Sequence, residues 1–109
     1  MVPFQVLEVS YELNRSLRPV LERLRLRDRS AVDQIRRAGA SVSQNLAEGN
    51  QRGGKDRPAL WRVAAGSAAE VRAALRVAEA FGDLDTAAIE KPLELVDRVL
   101  AMTWKLTHR

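Results

Sequence analysis

The sequence predicts an all-α protein: one domain, residues 1–109, folded as an up-down-up-down antiparallel four-helix bundle. Three observations point there. Apolar residues recur at helical spacing in four stretches joined by connections of a few residues. Aromatics make up only 5% of the chain, so the candidate core is Leu, Val and Ala, a composition that favours helix. Two runs of small residues, Ala38-Gly39-Ala40-Ser41 and Ala64-Ala65-Gly66-Ser67-Ala68-Ala69, flank a turn centred near Gly53. Folding back at that turn lays one run on the other, because both helices rise equally per residue, and small side chains allow close approach. The same register brings Glu70 near Arg36 and Arg37, which point about 100° apart, so one is expected to make a buried salt bridge across the seam and the other to face a neighbouring subunit or a phosphate. A chain of 109 residues is long enough for one modest core and too short for two.

The first helix is expected over Met1 to Arg27, with Phe4, Leu7, Tyr11, Leu17, Leu21 and Leu24 as its stripe and Pro3 in its first turn. Pro19 falls inside the pattern and predicts a kink there, since apolar spacing continues through Val20, Leu21, Leu24 and Leu26. Asp28 or Ser30 caps the second helix and Asp33 adds a carboxylate to its first turn. Its stripe is Val32, Ile35, Ala38 with Gly39, Val42 and Leu46. Gly49 suits a left-handed C-terminal cap. Glu48 stands in the last turn, where the helix dipole opposes it and Arg52 is the nearest compensating charge. Asn45, at the edge of the stripe, reads as a buried amide tying loop backbone to helix.

Asp56 is the expected cap of the third helix, with Pro58 in its first turn. Leu60, Ala64, Ser67, Val71, Leu75 and Ala78 form one stripe, with Trp61, Ala65, Ala68 and Arg72 beside it. Phe81 and Gly82 end it, and Asp85 or Thr86 caps a fourth helix running to about Thr107 with Ile89, Leu93, Val96, Val99, Leu100 and Trp104 inward. Trp61, Val63 and Leu75 cannot all face one core, which predicts apolar surface left over for assembly.

The absence of Cys rules out disulfides and thiolate chemistry, and with no signal-peptide pattern the chain is expected in the cytoplasm. No apolar run approaches the ~20 residues of a membrane span, so no membrane partner is expected. Enzyme signatures are wanting. His108 is the single His and lies at the chain end, no Glu-x-x-His pair offers a metal centre, and Ser41 and Ser67 have no adjacent base and read as seam residues bonding back to their own helices. The turn around Gly53-Gly54 lacks the spacing and the hydroxyl residue of a phosphate-binding loop. No catalytic residue, metal or cofactor is expected. What remains is charge. The net charge is +4, and eight Arg between Arg15 and Arg37 face only Glu22, Asp28 and Asp33, at what should be one end of the bundle. Arg15, Arg18, Arg25, Arg29, Arg36, Arg37, Arg52 and Lys55 are the candidate contacts to RNA or DNA phosphates. No aromatic is interleaved among these Arg in sequence, which argues against base stacking.

The segment QIRRAGASVSQNLAEG, a basic turn and AAGSAAEVRAAL together resemble the four-helix-bundle family encoded in intervening sequences of bacterial 23S rRNA genes, some members of which carry a ribosomal-protein-like label. Gln34, Ile35, Arg36, Arg37, Ala38, Ser41, Asn45, Ala47, Glu48 and Gly49, then Ala65, Gly66, Ser67 and Glu70, carry the likeness. Gly39, Val42-Ser43-Gln44 and Trp61 depart from the usual residues. The resemblance implies a homopentamer of short bundles around a central channel and no established enzymatic activity. It is also similar, more distantly, to the accessory protein of diversity-generating retroelements, which implies a reverse transcriptase or other nucleic-acid enzyme as a partner. Asn45, Glu48, Gly49, Gly66, Ser67 and Glu70 are the motif positions expected to build the fold or a subunit contact. Two functions follow: an oligomeric nucleic-acid or ribonucleoprotein accessory module, or a self-assembling structural or protein-interaction bundle with no nucleic-acid role.

Overall fold

Helical periodicity in the sequence becomes five helical segments in the computed structural model, which describes residues 2–108, with side chains from residue 5 onward. These are α1 (Val2–Ser16), α2 (Arg18–Leu24), α3 (Arg29–Gln51), α4 (Asp56–Ala80) and α5 (Thr86–Thr107). Among the described residues there is no strand. α1 and α2 form one bent rod, so four rods pack as a square: α1 touches α3 and α5, α4 touches α3 and α5, and α3–α4 is the most extensive pairing. The bundle measures 43 × 21 × 19 Å. No helix is long and apolar enough to cross a membrane.

The expected first helix is divided at Leu17. Pro19 has no N–H to return to the preceding turn, so the ladder is interrupted. Leu17 keeps right-handed helical backbone, and its N–H is shared between the Leu13 and Asn14 carbonyls at 3.1 and 3.2 Å. The rod therefore bends without ending. It stops at Leu24, earlier than expected, and Leu26 is 89% exposed. Asp28 caps α3, accepting from the Ala31 N–H at 3.0 Å. With α3 starting at Arg29, Asp33 lies beyond its first turn. Asp85 caps α5 the same way, accepting from Ala88 at 2.9 Å. α4 ends in a Schellman motif: Gly82 has φ +81°, its N–H reaches Glu79 O, and the Asp83 N–H reaches Ala78 O, both at 2.9 Å.

The core is aliphatic. Leu13, Leu17, Leu24, Ile35, Leu46, Leu75, Ile89 and Leu95 are fully buried. Three expected stripe residues are not inside: Leu26, Tyr11 and Trp104. Trp104 is displaced because Thr103 and Leu106 complete the inner face of α5; Thr103 satisfies its hydroxyl on the Val99 carbonyl at 2.8 Å. Phe4, the first residue of the expected stripe, has its side chain outside the described set. Of the three residues judged unable to share one core, Trp61 and Leu75 are buried and Val63 faces out.

The small-residue seam forms, with its faces turned from the expectation. Ser41 and Ser67 meet across α3 and α4, Oγ to Oγ at 2.7 Å, in place of bonding back to their own helices. Ala64, Ala68 and Val71 line the seam fully buried. Gly66 lies midway between Ala64 and Ala68, two residues from each, so it points to the opposite side. It is exposed, and a Cβ there would meet nothing within 4 Å. Gly39 belongs to a different contact, against α1, where a Cβ would collide with Asn14 Oδ1. The Asn14 amide donates there to the carbonyls of Ser10 and Gly39 and to Ser43 Oγ, at 3.0–3.1 Å. Ser10 and Ser43 share a further bond of 2.8 Å.

Candidate nucleic-acid interface

Arg36 and Arg37 are adjacent in α3, so their side chains diverge by about 100°. Arg37 faces α4, where it lines an open groove with Ser30, Asp33, Gln34 and Glu70. Glu70 is exposed there and, among the described residues, forms no ion pair with either Arg. The expected buried salt bridge is therefore absent: the α3–α4 seam closes on Ser41, Ser67 and Ala68, and residue 70 falls outside it. Arg36 faces the other way, into the groove between α3 and the α1/α2 rod.

That second groove collects charge from three helices. Arg15 of α1, Arg18 and Glu22 of α2, and Arg36 of α3 line its wider end, with Leu21 and Pro19 between them. It continues past Arg18 and Arg36 to Tyr11, Asn14, Ala40, Ser43 and Gln44. Among the described residues Arg15, Arg18 and Arg36 have no carboxylate within 4.0 Å, and Glu22 is engaged by Arg25 at 3.5 Å. Three free guanidinium groups thus share one concave surface. Arg15 and Arg18 are three residues apart, so helical spacing keeps them on one face of the α1/α2 rod across the Pro19 interruption. Tyr11, 37% exposed, stands in the same groove. The sequence gives no local aromatic among the Arg, yet Tyr11 and Arg18 are seven residues apart, two helical turns, which is the signal that could have joined them.

The other candidate cations lie elsewhere. Arg23 and Arg27 stand at the bundle end that holds the α2–α3 and α4–α5 turns, 3.6 and 4.0 Å from Asp85 and Asp83. Arg25 pairs with Glu22, and Arg29 opens α3 at that end. Arg52 and Lys55 are at the opposite end, in the α3–α4 turn. Arg52 bonds Glu48 at 2.9 Å and Asp56 at 3.5 Å, which supplies the compensation expected for Glu48. The eight candidates therefore do not form one surface: the groove takes Arg15, Arg18 and Arg36.

At that opposite end, sequence reasoning missed Arg57. α3 runs to Gln51, so Gly49 is inside the helix and caps nothing. Arg57, from the first turn of α4, reaches back and donates from Nε to the Gly49 and Arg52 carbonyls at 3.1 and 2.9 Å. Its Nη2 donates to Asn50 O at 3.2 Å. One guanidinium thus serves the open carbonyls of the α3 terminus. It also lies 5.7 Å over the Trp61 ring. Gly49 is small because Trp61 lies on it: a Cβ would stand 2.8 Å from Trp61 Nε1. α4 begins without the expected Asp56 cap; Lys55 holds that position with no side-chain bond, and Asp56 sits in the first turn. Asn45 donates to Ser41 O and Oγ at 2.8 and 3.0 Å, within its own helix and away from the loop. At the chain end, His108 stacks on Trp104 at 4.3 Å and contacts the Trp104 carbonyl.

These features define an all-α four-helix bundle with a basic, partly aromatic groove on one side. The chain matches the family model described as 23S rRNA-intervening sequence protein over residues 3–105, and it belongs to that family. Its fold is similar to the crystal structure of a protein of unknown function from the S23 ribosomal protein family of Bacteroides thetaiotaomicron. The TM-score is 0.81 at 16% identity, over 100% of both chains. No curated protein matches the sequence.

Proposed function

We propose that this chain is a non-enzymatic, oligomeric nucleic-acid or ribonucleoprotein accessory module that holds phosphates in the α1/α2–α3 groove. The observation that carries this reading is the convergence of Arg15, Arg18 and Arg36 in one groove without carboxylate partners among the described residues; Arg23, Arg25, Arg27 and Arg52 are paired, and Arg29, Arg37 and Lys55, which form no ion pair among the described residues, lie apart from that groove. Unpaired guanidinium groups in a concavity release counterions when phosphate enters, and their fork geometry suits phosphate oxygens. The test is salt-dependent binding of labelled RNA and DNA. Arg15→Gln/Arg18→Gln/Arg36→Gln should bind far more weakly and lower the slope of log affinity against log salt by about 2. Arg23→Gln/Arg25→Gln/Arg27→Gln, which removes paired charges, should bind nearly as the parent does. Parental binding by the groove variant would overturn the reading.

A specific observation favours the second reading, a self-assembling bundle. Val77 and Phe81 are 51% and 74% exposed and share a groove between α3 and α4 whose wall is Ala31, Ala73 and Ala74 on its apolar side and Asp28, Ser30 and Gln34 on its polar side. In this reading the ring assembly implied by the family resemblance covers that side. A monomeric mass by light scattering at micromolar concentration would remove the oligomer from both readings.

A further inference from the structure

We infer that the groove takes single-stranded nucleic acid, with an unpaired base laid on the Tyr11 ring and the strand's phosphates on Arg18 and Arg36. This rests on the phosphate-binding reading above and specifies the strand. Tyr11 is 37% exposed, whereas its helix neighbours Leu13 and Leu17 are buried. Its ring is therefore available inside the concavity that Arg18 and Arg36 line. Seven residues of α1/α2 separate Tyr11 from Arg18, about 10 Å along the rod, so the aromatic and cationic ends of the groove are distinct stations. Between them the wall is Ala40, whose side chain leaves space for a flat ring. Beside Tyr11 the Gln44 amide is exposed and, among the described residues, makes no hydrogen bond, so its donor and acceptor are free for a base edge. Asn14 and Ser43 are committed to each other and to Ser10 and Gly39, which fixes the floor.

A duplex would use little of this. Its base faces are stacked away, and it could offer only phosphates to a seam between two adjacent helices, whose axes lie about 8–10 Å apart. An unpaired strand can follow the seam and present a π-face to Tyr11, a contact that tolerates any base.

The experiment measures anisotropy with a labelled mixed-sequence RNA, alone and annealed to its complement, at several salt concentrations. The full chain is compared with Tyr11→Ala and Tyr11→Phe, and the fold of each is checked by circular dichroism. The parent should bind the unpaired strand at least tenfold more tightly than the duplex. Tyr11→Ala should weaken single-strand binding about tenfold with the salt slope unchanged. Tyr11→Phe, which keeps the ring, should restore it. If Tyr11→Ala fails to fold, Tyr11→Leu keeps apolar bulk without a ring face and serves the same comparison. Equal affinity for duplex and single strand, or parental binding by the variant without a ring, overturns the inference. The phosphate reading survives in that case if the groove Arg variant still loses binding. Binding to neither form overturns both.

Discussion

Gly49 and Gly66 both lie inside helices, and their substitution by Ala should move stability in opposite directions. Alanine is favoured over glycine by roughly 1 kcal/mol in a helix interior, and both variants gain that term. At Gly66 nothing else changes, since a Cβ meets no atom within 4 Å. At Gly49 the Cβ would stand 2.8 and 2.9 Å from Trp61 Nε1 and Cδ1 and 3.3 Å from the Arg57 carbonyl. Trp61 is 6% exposed and rigid, and the third neighbour is backbone, so the helices must part. Overpacking of that kind costs about 1–3 kcal/mol, occasionally more. The net expectation is about 0–2 kcal/mol lost for Gly49→Ala and up to about 1 kcal/mol gained for Gly66→Ala. At roughly 4–8 °C per kcal/mol for a small domain, the two melting temperatures should bracket the parent's. Calorimetry or thermal circular dichroism measures this directly. Trp61 fluorescence in a Trp104→Phe background reports whether the indole is dislodged. A Gly49→Ala protein melting at or above Gly66→Ala would refute the close packing of Trp61 on α3.

Asn14 and Gly39 should be coupled: Gly39→Ala should destabilise the parent but not an Asn14→Ala protein, where the colliding oxygen is gone, and a double-mutant thermal cycle measures the difference. Asn14→Ala alone should cost about 1–3 kcal/mol by denaturant titration, because its amide bonds Gly39 and Ser43 of α3 as well as Ser10 of its own helix. Arg57→Ala and Arg57→Lys should both make the α3–α4 turn more open to limited proteolysis, since only the guanidinium fork serves three carbonyls at once. The Thr86 hydroxyl, and then the Arg76 guanidinium, hold the Glu79 carboxyl below its usual range. A depressed carboxylate pKa contributes stability above the unfolded value and loses it as pH falls through the folded one. The small advantage of the parent over Glu79→Gln at neutral pH should therefore vanish on acid titration.

The fold was legible because helices announce themselves by period and punctuation: Asp28, Asp85 and Gly82 mark ends that the backbone uses. Rotation about each helix axis was harder to read. In a run such as Ala64 to Ala69 every residue is small, so nothing in size or hydropathy says that Gly66 turns outward and Ala64 and Ala68 turn in. The same ambiguity misplaced Glu70, one step off the seam. Contacts made by a long side chain across a turn, such as Arg57 on the α3 terminus, follow no period. The candidate site was half visible: the Arg excess was plain, but sorting paired from unpaired cations needs Asp83 and Asp85, which come some 60 residues after the Arg they neutralise.

The corner held by Arg57 and Trp61 also bears on the order in which the chain can organise. α3 and α4 are consecutive, their turn is short, and their contact is the most extensive in the molecule. Closing that loop costs little chain entropy and is repaid at once by the seam of Ser41, Ser67 and Ala68. α1, by contrast, must find α5 across most of the chain. The expected transition state is therefore polarised, with the α3–α4 hairpin formed and α1 still loose. In kinetic terms, substitutions at Trp61 or Ala68 should slow refolding, while those at Leu13 should mainly accelerate unfolding. Because α1 is also one wall of the basic groove, that wall would be the last part of the molecule to take shape and the first to be lost.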